Sequence, residues 1–242
     1  MEKGMARRRL LLIGGASLGL SACGEGLFGP PPAGTLYRIA PDFASAPQAG
    51  AKVGWALAIL RPNMATGLDV DRIALIQPDG TLDYYAKANF PDRLGVMVQQ
   101  SILNGFEASG RIDAVALEQD ALHAEYNLDI EIKDFAAHYS EPDGIPAARV
   151  SITVKLTTTH GRAIVGSFST TKTVTASLNN TTAVTQALQQ ALGQAVLDIV
   201  NWTLTAPVPS TQQAANGSTA KPAEELLHEM TPSASAQKNI PQ

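Results

Sequence analysis

Hydrophobic and polar residues alternate most regularly between Glu125 and Lys133, where Tyr126, Leu128, Ile130 and Ile132 are separated by Asn127, Asp129 and Glu131. Successive side chains of a strand point to opposite faces, so this stretch predicts one dry face and one wet face. Val150, Ile152, Val154 and Leu156 alternate in the same way with Ser151, Thr153, Lys155 and Thr157. Pro142-Asp143-Gly144 separates these two strands, and His160-Gly161 turns the second into a third over 164–175. An antiparallel meander follows from those turns.

Shorter apolar runs predict strands over 36–39, 53–60, 72–77, 81–86 and 111–117. Pro62 ends the second, and Pro78-Asp79-Gly80 turns the third into the fourth. Elsewhere the period lengthens. Leu94, Met97, Val98, Ile102 and Phe106 share one helical face over 91–109, with Pro91 in the first turn, Asp92 at the positive end and Gly110 as the stop. Val184, Leu188, Leu192, Val196, Ile199 and Val200 form the stripe of a second helix over 181–204, capped by Asn179 or Asn180. The expected fold class is α+β: a single domain with a mainly antiparallel sheet and two principal helices packed on it.

The N-terminal residues follow neither period. Lys3, Arg7, Arg8 and Arg9 precede an apolar, small-residue run over 10–20, and Leu20-Ser21-Ala22-Cys23 closes it. A basic head, a short apolar middle and a small-residue exit describe a secretory leader, with Met5 an equally good start. The exit has the form of a lipobox: Leu20, Ser21 and Ala22 fit a narrow peptidase cleft, and the Cys23 thiol accepts the lipid. Cys23 is the only cysteine in 242 residues. Gly24 stands where aspartate commonly retains a lipoprotein in the inner membrane, so the leader points to the outer membrane, facing the periplasm. The chain then divides into a signal peptide at 1–22, a Gly/Pro-rich tether at 23–34, a domain at 35–205 and a disordered tail at 206–242.

Charge and residue spacing remove several function classes. Without the leader, 14 basic and 21 acidic residues remain, a formal net charge of −7. That balance argues against nucleic acid as a partner. His123, His138, His160 and His228 show no metal-ligand spacing, and once Cys23 is acylated no thiol can join them. Asp129 and Glu131 stand two apart on the wet face of a strand, which is the pattern of a solvated face rather than a catalytic pair. Gly24-Glu25-Gly26 has no preceding strand and no Lys-Ser/Thr after it, and no serine stands in a Gly-x-Ser-x-Gly elbow. The expectation is a protein that is not an enzyme and uses no cofactor and no metal.

The order of motifs resembles the ABC-type transport auxiliary lipoproteins, the PqiC-like family. The likeness starts at the lipobox and continues through Tyr37-Arg38-Ile39, Arg72-Ile73, Leu82-Asp83-Tyr84-Tyr85, Phe90-Pro91-Asp92-Arg93-Leu94 and Glu107-Ala108-Ser109-Gly110. It extends over 128–135 and the closing helix with Trp202, covering 36–204. Phe90 stands where family members often carry tryptophan. The resemblance implies an auxiliary subunit of an envelope lipid-transport system, partnered by an MCE-domain substrate-binding protein with its ABC permease and ATPase. It also implies membrane attachment through acyl chains and leaves phospholipid contact and a homo-oligomer open. Tyr84 and Tyr85 are candidates for partner contact, since one of two strand neighbours must face away from the core. A structural envelope lipoprotein and a membrane-tethered hydrolase are the competing readings.

Overall fold

The computed structural model describes residues 34–43, 50–120 and 123–208. The leader, the lipobox with Leu20, Ser21, Ala22 and Cys23, the tether through residue 33 and the tail from residue 209 lie outside the described residues. In chain order the elements are β1 (Thr35–Leu36), β2 (Val53–Ile59), β3 (Asn63–Met64), β4 (Arg72–Ile76), β5 (Leu82–Asn89), α1 (Leu94–Ser109), β6 (Ile112–Leu117), β7 (Tyr126–His138), β8 (Ala147–Thr158), β9 (Ile164–Thr175) and α2 (Thr181–Thr205).

β7 is the spine. One edge pairs antiparallel with β8 from Tyr126↔Thr158 to His138↔Ala147, and β8 pairs antiparallel with β9. This is the expected meander. The other edge of β7 takes three short strands in succession, all parallel to it: β2 at Leu57↔Tyr126, β3 at Asn63↔Glu131 and β4 at Leu75↔Ala137. β6 also runs parallel to β2, and β1 parallel to β5, while β4 and β5 form an antiparallel hairpin. The sheet is therefore mixed rather than purely antiparallel: its long pairings, β7 with β8 and β8 with β9, are antiparallel as expected, and the short ones at the other edge of β7 are parallel. Alternation reports which face is dry and says nothing of the neighbour's direction.

Both helices lie on the dry face. Val150, Ile152, Val154 and Leu156 of β8 are fully buried, as are Leu188, Leu192, Val196 and Ile199 of α2. Asn180 caps α2, its Oδ1 accepting the Ala183 N–H at 2.9 Å; such a cap contributes about 1 kcal/mol. α1 begins at Leu94, three residues later than the sequence suggested, so Pro91 and Asp92 precede the helix. Arg93 occupies the cap position with an extended backbone, and the Leu94 N–H donates to the Val70 carbonyl at 3.1 Å. A loop carbonyl satisfies that amide without a capping side chain. Gly110 ends α1 in the left-handed conformation, its N–H on the Glu107 carbonyl.

Between β1 and β2, the segment through Phe43 crosses the helices. The Ala40 N–H donates to Gln189 Oε1 at 3.1 Å, and Ile39 and Phe43 are buried. Gly193 of α2 lies under Pro41, where a Cβ would come within 3.2 Å of the proline ring.

Candidate functional site

The wet face of the sheet is built by the polar halves of the alternating strands. Cross-strand hydroxyl pairs tile it: Ser151 with Thr171 at 2.9 Å and Thr153 with Ser169 at 2.8 Å. Nearer the start of β7, Thr157 donates to Asp129 Oδ2 at 3.1 Å. Asn63, Met64 and Ala65 rise along one side and Ile164 along the other, leaving an open groove of about 770 Å³ over Asp129, Glu131, Lys133 and Lys155. Asp129 and Lys155 are directly opposed in register. Glu131, Lys133 and Lys155 are exposed. Two carboxylates and two lysine ammonium groups on a solvated floor form a surface of mixed charge.

The alternation of β7 breaks at Lys133-Asp134, two polar residues in succession, and the register with β8 shifts between Ile132 and Asp134. This bulge turns Asp134 toward Arg149 and His138. Arg149 Nε donates to Asp134 Oδ2 at 2.7 Å, and His138 Nε2 lies 2.9 Å from the same oxygen. The sequence alone places His138 simply on a strand surface; the two polar residues in a row are the available sign of the bulge and its cluster. His160 sits in the β8–β9 turn and His123 is exposed, while His228 lies outside the described residues. Among the described residues no three His, Cys, Asp or Glu side chains converge as a metal site.

Tyr84 and Tyr85 point to opposite faces of β5 and both are half-buried. On the outer side, the Tyr84 hydroxyl donates to the Gly67 carbonyl at 2.8 Å, and the Arg72 guanidinium stacks 3.6 Å above its ring. This ring pins the loop after β3 to the sheet and keeps part of its edge accessible. Tyr85 turns inward, where its hydroxyl meets Tyr139 Oη at 2.8 Å. Tyr139 donates onward to Asn179 Oδ1 at 2.7 Å, so Tyr85 supplies the proton of the first bond. Asn179 in turn donates to the Asp143 carbonyl, tying the β7–β8 loop to the approach of α2.

Burial, with the Tyr139 hydrogen bond second, pushes the Tyr85 phenol well above its ordinary range. The unfolded chain ionises that phenol near pH ~10 while the folded chain keeps it protonated. Stability from this group is whole below that pH and falls as pH rises above it. Urea midpoints at pH 9 and pH 11 should fall further apart in the wild type than in Tyr85→Phe. Equal losses in both proteins would place the alkaline sensitivity elsewhere.

A family model described as ABC-type transport auxiliary lipoprotein component matches residues 37–200. Among solved structures, a Xanthomonas campestris protein of the DUF330 family is 30% identical, with a TM-score of 0.62, covering 76% of this chain and 97% of that one. An uncharacterized protein at 10% identity shares the fold with a TM-score of 0.52, over 63% of this chain and 94% of its own. A hypothetical protein from Chlamydia trachomatis is 12% identical with a TM-score of 0.44, over 64% and 99% of the two chains. No curated protein matches the chain.

Proposed function

The chain belongs to the ABC-type transport auxiliary lipoprotein components, and from that membership we propose a non-catalytic docking subunit held at the outer membrane by acyl chains on Cys23. Its partner is the MCE-domain substrate-binding protein of an envelope lipid transporter, which works with an ABC permease and ATPase. The observation that carries the reading is the family match over 37–200, supported by a lipobox cysteine in a chain with no second thiol. The wet face agrees with it in kind. A broad, hydroxyl-tiled floor with charges of both signs suits recognition of a polar protein surface. A lipid-tethered domain on a short linker raises the local concentration of that surface along one membrane.

Co-purification tests the proposal. The acylated protein, extracted in mild detergent together with the MCE protein of its own genome, should retain that protein. Lys155→Glu with Lys133→Glu should weaken retention by about tenfold, as loss of charge complementarity does at a polar interface. Clean separation of the two wild-type proteins, both present and folded, would refute docking and favour a structural envelope lipoprotein.

A further inference from the structure

The two ends of the sheet are unlike. β1 runs parallel to β5, with Thr35 opposite Ala88 and Leu36 opposite Asn89. β5 starts at Leu82, paired with Ile76, which itself sits beside His138 at the close of β7. Followed backward from Leu36 through Thr35 to Gly34, β1 therefore points toward the end of the sheet where β7 finishes. α2 starts at that same end, where Asn179 joins Tyr139 and Asp143, and runs away from it. Its 25 residues span about 37 Å. It closes with Trp202 stacked on Phe168 and Arg111 bonded to Asn201, so α2 finishes at the opposite end.

The end of the sheet toward which β1, followed backward, points carries two bulky aliphatic side chains on neighbouring loops. Ile145 is 55% exposed and Leu178 59% exposed. The loops are fixed to each other, the Ala176 N–H donating to the Pro146 carbonyl and Asn179 Nδ2 to the Asp143 carbonyl, both at 3.0 Å. Loops bonded in this way hold the two side chains outward at little further cost in ordering. Among the described residues, the connecting segments at this end carry charge of one sign. Asp79, Glu141 and Asp143 are exposed, and the connecting segments 77–82, 139–146 and 176–180 contain no lysine or arginine.

We propose that this end is the membrane-facing end of the domain, with Ile145 and Leu178 resting in the interface of a zwitterionic lipid surface and α2 directed away from it. The proposal rests on the Cys23 anchor. The tether from Gly24 to Gly34 reaches about 36 Å when extended, so it permits contact without forcing it; the exposed aliphatic pair supplies the attraction. The carboxylates select against anionic lipid. In this orientation the end of α2 and the β8–β9 turn lie farthest from the bilayer.

The test uses the full-length acylated protein in phosphatidylcholine vesicles with brominated chains, which quench nearby tryptophan. Native Trp55 packs against Tyr126 at the start of β7, and Trp202 closes α2, so both are far-end reporters. Ile145→Trp and Leu178→Trp should each add fluorescence that brominated lipid quenches at least threefold more strongly than that of Ile164→Trp at the far end. Admixed phosphatidylglycerol should reduce the difference. Equal quenching at all three positions, or stronger quenching at 164, overturns the orientation. Quenching that strengthens with phosphatidylglycerol overturns the choice of zwitterionic lipid. Flotation of the same samples separates the premises: protein that fails to float refutes the anchor and the orientation with it, whereas floating protein with unquenched 145 and 178 refutes the orientation alone.

Discussion

Cys23→Ser is expected to move the protein from the membrane fraction to the soluble one, a shift on the order of a hundred-fold in partition. The thiol is the only acceptor for a lipid in the chain, since no second cysteine exists to substitute for it. One acyl chain binds a bilayer only marginally, while several bind durably, each buried methylene contributing ~0.8 kcal/mol. No described helix is long and apolar enough to cross a membrane; α2 has the length but carries Gln186, Gln190 and Gln194 among its exposed positions. Ile145 and Leu178 alone offer too little apolar surface for stable binding. An uncleaved leader could hold the precursor of the Cys23→Ser variant at the membrane, so a second variant carries an ordinary signal peptide joined to residues 24–242. Membrane fractionation after a carbonate wash checks both. Retention of this second variant at the wild-type level would refute the Cys23 anchor.

The parts of the fold that are legible in the sequence are those in which one residue's neighbours in the chain decide its environment. The β7 and β8 dry faces follow from strict alternation, and the α2 stripe from Val184 to Val200 falls on the buried side at helical spacing. Gly110 and Asn180 end and begin their helices by local chemistry that a short window contains. What stays hidden depends on partners distant in sequence. β3 is only Asn63–Met64, a pair with no apolar pattern, held as a strand by Glu131 and Ile132. The parallel pairing of β2, β3 and β4 on one edge of β7 needs the whole chain path. The start of α1 lies later than its local signals suggest because the Val70 and Asp71 carbonyls engage Leu94 and Phe90, displacing the role given to Pro91 and Asp92.

The candidate surfaces divide in the same way. Alternation gives the wet face with Asp129 and Glu131, and it gives one outward ring from the Tyr84-Tyr85 pair. It does not give the wall made by Met64, the opposition of Asp129 to Lys155, or the loop held by Tyr84 through Gly67. Each of these joins segments that are far apart in the chain. The helices cover one face of the sheet, so the polar face, the long edge of β9 and the two ends are what remain for contact. The proposed docking role uses such a surface without requiring convergent catalytic groups, and the proposed orientation sets which end meets the lipid.

Gly105→Ala is expected to destabilise the domain, although the same change in an exposed helix stabilises by up to ~1 kcal/mol. Gly105 lies on the face of α1 that meets α2. A Cβ there would collide with Val196 Cγ1 and come within 3.4 Å of Val200 Cγ2 and 3.9 Å of Phe43 Cζ. Val196 is fully buried, and Val200 and Phe43 nearly so. None of the three can swing into solvent, so the helices must move apart or Val196 must leave its rotamer. Overpacking of this kind costs about 1–3 kcal/mol, which outweighs the gain in helix propensity. Gly105→Leu should exceed that range and leave little folded protein. Val196→Ala opens a cavity and costs about 1–3 kcal/mol alone, yet it also removes the colliding methyl. The double variant Gly105→Ala/Val196→Ala should therefore be less damaged than the sum of the single changes by about 1 kcal/mol or more. Urea midpoints of the four proteins measure this coupling. A Gly105→Ala protein more stable than the wild type, or strictly additive losses, would show that the two helices are not in the close contact on which the dry face of the sheet depends.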